Sequence, residues 1–83
     1  MAINDLTDIS MDLLHTTDRG ADRIRRNLML DCDDPVAWCR HAIIGARDRT
    51  VIRRGKNFYV YIPGCVITIN AASNGIITAH KTH

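Results

Sequence analysis

The chain contains no glutamate and no glutamine, so its nine acidic residues are all aspartates. We read this as a bias of composition and not as a feature of mechanism. Aromatic residues are only 5% of the chain, one Trp, two Tyr and one Phe, so each is an anchor or a surface feature worth locating. Three cysteines, Cys32, Cys39 and Cys65, form no CxxC pair and are odd in number, which argues against a disulfide framework and fits a reducing compartment. Cys32 and Cys39 with His41 do not complete a tetrahedral ligand set, so no metal site and no cofactor are expected. No uninterrupted apolar run reaches the length of a membrane span, and MAINDLTDIS is acidic where a signal peptide is basic. The expectation is a cytoplasmic protein with no membrane association. At 83 residues there is room for a single domain, too small for a dinucleotide-binding unit.

Charge is uneven along the chain. Residues 1–48 hold nine Asp against six Arg, a balance of −3, whereas residues 49–83 hold Arg49, Arg53, Arg54, Lys56 and Lys81 and no acid, a balance of +5. One face of the second half is therefore suited to an acidic or polyanionic partner, or is a sheet edge guarded by cations.

The first half has helical periodicity. Ile3, Leu6, Ile9, Leu13 and Leu14 recur at helical spacing, with Asn4 or Asp5 as a cap. Thr17 caps a second helix, with Asp18 in its first turn. Ala21, Ile24 and Leu28 form its buried stripe, while Arg19, Arg23 and Arg26 cluster on another face beside Arg25. Asp34 before Pro35 starts a third helix through Val36, Cys39 and Ile43, with Trp38 as a core anchor and Gly45 as its left-handed stop. Capping also accounts for Asp34 in the Asp31, Asp33, Asp34 triplet, which lacks the glycine and distal acid of a calcium loop.

From Arg49 the period changes to two. Residues 50–54, 57–62, 65–70 and 76–80 are expected to be strands, separated by Gly55-Lys56, Pro63-Gly64 and Ser73-Asn74-Gly75. The expected fold is α+β, a single domain over residues 1–83 with a helical part (3–45) and a sheet part (49–81). Three helices pack on one face of a four-stranded antiparallel β-meander. Alternation then puts Val51, Phe58, Val60, Ile62, Cys65, Ile67, Ile69 and Ile76 on the core face. Ile52, Arg54, Tyr59, Tyr61, Val66, Thr68, Asn70, Ile77, Ala79 and Lys81 fall on the outer face.

That outer face is the candidate binding surface, built from Arg54, Lys56, Tyr59, Tyr61, Thr68, Asn70 and Lys81. The leading expectation is a small interaction module, an inhibitor, regulator or homodimer, whose outer face takes a protein partner or a second copy of the chain with the tyrosines as buried anchors. In the alternative that face takes RNA or another single strand, the tyrosines stacking on bases while Arg54, Lys56 and Lys81 meet phosphates. Arg19, Arg23 and Arg26 form a second basic surface, and the sequence does not choose between the two surfaces. No Ser/His/Asp set, paired carboxylates or phosphate-cradling glycine loop is present, so an enzyme is not the leading expectation. Were the chain an enzyme, it would be a metal-free ribonuclease drawing on His80, Arg53 or His15, with Tyr59 and Lys56 alongside. His41 reads as a solvated helix residue.

The strings LHTTDRGADRIRRNL, DDPVAWCRHAI and RRGKNFYVYIPGCVITINAASNGIITAHK resemble a family of short bacterial proteins catalogued as a domain of unknown function. The resemblance covers roughly residues 13–81 and implies a bacterial or phage origin, but brings no catalytic residue with it. The outline of helices followed by a small antiparallel sheet, with ITAHK on the last strand, is similar to the ribonuclease-toxin class with RelE-like and barnase-like folds. That second likeness is one of fold alone.

Overall fold

A computed structural model of the chain describes residues 2–3, as backbone, and 9–82. Its elements are β1 (Ala2–Ile3), α1 (Asp18–Leu28), α2 (Pro35–Ile44), β2 (Thr50–Arg54), β3 (Asn57–Ile62), β4 (Cys65–Asn70) and β5 (Ile76–Lys81), with one 3₁₀ turn at Met11–Leu13. The sheet runs β1-β2-β3-β4-β5, antiparallel throughout. It is the expected four-strand meander, extended by a two-residue edge strand in which Ala2 pairs with Ile52 and Ile3 with Val51. No helix among the described residues is long and apolar enough to cross a membrane.

The expectation of three helices is corrected: there are two α-helices. Of the expected first helix, Asn4, Asp5 and Leu6 lie outside the described residues, Ile3 belongs to β1, and residues 9–17 are irregular apart from the 3₁₀ turn. Ile9 and Leu14 are buried without a helix to present them, while Leu13 is exposed. The cause is tertiary. His15 N donates to Asn74 O (3.4 Å) and Ile76 N donates to His15 O (2.7 Å), so the start of β5 satisfies this backbone in an extended conformation.

Both α-helices start where local chemistry places them. Thr17 Oγ1 accepts from Gly20 N (3.0 Å) and Asp34 Oδ1 from Ala37 N (3.0 Å), with Pro35 in the first turn. α1 ends on Met29, whose φ of 55° is left-handed, and Leu30 N returns to Arg25 O. α2 departs from expectation at its end, since Gly45 has φ −85° and is not left-handed. The terminal carbonyl of Ile43 instead accepts from Arg49 Nη1 at 3.1 Å.

The inner face of the sheet carries Val51, Val60, Ile67 and Ile69, all fully buried, and meets Ile24 and Leu28 of α1 and Cys39 and Ile43 of α2 in one apolar cluster. Trp38 packs partly buried against that cluster. The core-face residues expected from alternation are all buried, with Ala79 added to them.

Ala79 joins the core because of a bulge. Thr68 pairs with Thr78 and Ile69 with Ile76, which leaves Ile77 as an extra residue on β5. One extra residue inverts every side chain beyond it. Ala79 therefore faces inward opposite Ile67, His80 lies on the outer face beside Val66, and Lys81 pairs with Cys65 on the inner parity. The expected outer-face placement of Ala79 and Lys81 is thus reversed, and His80, which unbroken alternation from Ile76 would turn inward, lies outside.

Candidate functional site

The string LHTTDRG builds one wall of a cleft. Thr16 Oγ1 donates to Ile76 O (2.9 Å), tying the entry of α1 to β5, while Thr17 caps the helix. Gly20, buried in the first turn of α1, makes this possible, because a Cβ there would collide with Thr16 Oγ1. The opposite wall is the β4–β5 turn. Asn70 Oδ1 accepts from Ala72 N (3.1 Å), Ser73 N (2.9 Å) and Ser73 Oγ (3.1 Å), which folds that turn and allows Asn74 its left-handed φ of 61°.

Between the walls lies a cleft of about 480 Å³ lined by His15, Arg19, Arg23, Asn70, Ser73 and Gly75 among others. No aspartate lines it among the described residues. His15, Arg19 and Arg23 are all exposed, and neither arginine has a carboxylate or hydrogen-bond partner among the described residues. The ion pair found among those residues, Arg25 to Asp22 at 3.1 Å, lies elsewhere. The described lining of the cleft therefore carries the positive charge of two arginines and no negative charge.

The two rival surfaces of the sequence are joined along β5. At 3.6 residues per turn, Arg19, Arg23 and Asn27 fall on one side of α1, each about 40° from the last. Asn27 Nδ2 donates to Thr78 Oγ1 (3.2 Å) and lies 3.4 Å from His80 Nδ1, on the outer side of the sheet. The row of Thr78, Thr68, Tyr59 and Ile52 then continues across that face, beside the row of His80, Val66, Tyr61 and Thr50. Arg26, exposed, extends the helix side of the same surface.

Several expected site residues have other duties. Arg53 pairs with Phe58 on the inner parity, stacks 5.2 Å from the Phe58 ring centroid and donates from Nε to Gly55 O (2.9 Å), so it is part of the β2–β3 hairpin. Thr68 is buried, Tyr59 half-buried, and Tyr61 is 43% exposed. Arg54 and Lys56 are exposed at the β2–β3 turn, where Lys56 O accepts from Ala71 N (2.8 Å) beside the β4–β5 turn, and Lys81 is exposed at the far end of β5. His15 and His80 stand five residues apart along β5, on the order of 15 Å, too far to act on one atom. Sequence reasoning missed Thr16, Asn27, Ser73 and Gly75. Thr16 carries a readable signal, a second hydroxyl four residues before a glycine, whereas Asn27 has meaning only opposite Thr78.

The cysteines are no part of this surface. Burial, then the neighbouring Cys65 and Cys32, pushes the Cys39 thiol from 9.0 up to about 12, and burial raises Cys65 as well. All three are free thiols, and the described residues contain no cluster of His, Cys or Asp arranged to hold a metal.

A family model described as a protein of unknown function, DUF3781, matches residues 9–80. No curated protein and no solved structure matches the chain.

Proposed function

The chain belongs to the DUF3781 family, and from the geometry of its own residues we propose that it binds single-stranded RNA along the arginine side of α1 and the adjoining outer face of the sheet. One observation carries this reading: among the described residues, Arg19 and Arg23 are unpaired and line a cleft that holds His15 and no carboxylate. Guanidinium groups left unneutralised beside a concave polar site suit phosphate, which they meet bidentately. Tyr61, exposed, and Tyr59, half-buried, are available as stacking platforms further along the same face. The free thiols support a reducing, cytoplasmic setting.

Fluorescence anisotropy of a labelled single-stranded RNA, repeated over a salt series, tests the reading. Affinity is expected to fall log-linearly with salt, and the double substitution Arg19→Ala, Arg23→Ala to make the slope shallower by about 1.4, at roughly 0.7 per lost phosphate contact. No binding, or a slope the double substitution leaves unchanged, overturns it. A second reading, a protein partner seated on the tyrosines, is favoured by the exposure of Tyr61 beside half-buried Val66. Tyr61→Ala would then cost the complex more than about 1 kcal/mol.

A further inference from the structure

We infer that the cleft is a ribonuclease centre in which His15 is the general base. This rests on the RNA-binding reading and adds to it a reaction and the residue that performs it. His15 Nδ1 lies 3.0 Å from Leu13 O. A carbonyl oxygen only accepts, so Nδ1 carries the hydrogen and the lone pair of the neutral ring is at Nε2. Nε2 has no hydrogen-bond partner among the described residues, and a Cβ added at Gly75 would stand 3.3 Å from it. A base whose tautomer is set by a third group and whose other nitrogen is open is the arrangement that proton abstraction needs.

The imidazole is also held in place. The His15 backbone pairs with Asn74 and Ile76 on both its N–H and its carbonyl, and Thr16 next to it bonds Ile76 O. The ring is thus mounted on a paired backbone and not on a free loop. Arg19 and Arg23, on the same wall, are the titratable groups that share the cleft with it among the described residues. They supply positive charge where a pentavalent phosphorane gathers negative charge.

In the reaction, Nε2 takes the proton of an RNA 2′-hydroxyl as the 2′-oxygen bonds to the adjacent phosphorus. The bond from phosphorus to the 5′-oxygen breaks, and that oxygen takes a proton from water. The resulting hydroxide recovers the proton held by His15. The products are a 2′,3′-cyclic phosphate and a 5′-hydroxyl, with no oxidant or reductant consumed.

The test uses the full chain with a 5′-labelled single-stranded RNA in EDTA, measuring binding by anisotropy and cleavage by mass of the products. The informative substitution is His15→Asn, since its amide can still donate to Leu13 O while the base is gone. Wild type is expected to leave 2′,3′-cyclic phosphate ends and to spare an RNA carrying 2′-O-methyl groups. His15→Asn is expected to cleave at least about 100-fold more slowly, with its dissociation constant within about twofold of wild type and an unchanged melting temperature. RNA bound but not cut, or cut equally by His15→Asn, overturns the catalytic assignment and leaves RNA binding standing. RNA not bound at all overturns both. Should His15→Asn fail to fold, Gly75→Val, which crowds Nε2 from the far side, must slow cleavage in its place, and a Gly75→Val that cuts at the wild-type rate overturns the assignment.

Discussion

Arg23 and Arg25 lie two positions apart on α1 and do opposite things. Arg25 donates from Nε to Cys32 O (2.8 Å) and from Nη2 to Asp33 O (2.7 Å), and pairs with Asp22, so its guanidinium clamps the connection between the helices. Arg23 is exposed and bonds nothing among the described residues, yet lines the cleft. The same division runs through the molecule. On the architectural side Arg40 donates to Met11 O and Arg49 to Ile43 O, and the apolar residues of the sheet's inner face are buried. On the other side cations and tyrosines are left without internal partners. Residue type does not separate structure from function here. Whether a side chain is engaged by the rest of the chain does.

The sharpest way to break that comparison is at the sheet, where the two faces alternate along the same strands. Ile67→Ala, at a fully buried position, is expected to cost about 2–5 kcal/mol in urea unfolding, and Tyr61→Ala on the outer face less than about 1 kcal/mol. A Tyr61→Ala loss as large as that of Ile67→Ala would show the outer face to be part of the core. Next in size, Arg25→Ala should lose about 1.5–3 kcal/mol, chiefly through two carbonyls deprived of a charged donor. Its exposed ion pair with Asp22 adds little. Arg23→Ala should leave the melting temperature unmoved and weaken RNA binding instead, and reversed outcomes for the two arginines would refute the division of labour.

The smallest effect at neutral pH is at Cys39. Its folded-state thiol holds its proton to about pH 12, whereas an unfolded thiol releases it near 9.0. Above pH 9 the unfolded chain binds fewer protons than the folded one, so stability falls as pH rises through that window and is untouched below it. Unfolding titrations at several pH values should show a downward slope above pH 9 that is shallower in Cys39→Ala. Parallel slopes would mean that Cys39 is not dry.

How far the fold was legible follows the distance over which each residue is satisfied. The strands beginning at Thr50, Asn57, Cys65 and Ile76 follow from alternation between turns, and the Thr17 and Asp34 caps from contacts three residues long. The segment ending at Leu14 misleads because its apolar spacing fits a helix while its two ends are held by distant backbone, Ile3 by Val51 of β2 and His15, which follows Leu14, by Asn74 and Ile76. His80 and Lys81 change faces because of one extra residue at Ile77, which alternation alone does not reveal.

The candidate site divides in the same way. Arg19 and Arg23 were visible as one basic surface and His15 as a candidate catalytic residue, but nothing in the sequence joined the histidine to the arginines. By itself the sequence determined which segments are strands, where two helices begin and which charges exist, because those depend on neighbours in the chain. Only the tertiary structure decided that Thr16 reaches Ile76, that Asn27 reaches Thr78, and hence that a histidine and two unpaired arginines share one cleft. The reason is physical: those contacts are made across the sheet edge, between groups whose separation along the chain carries no local signal of their meeting.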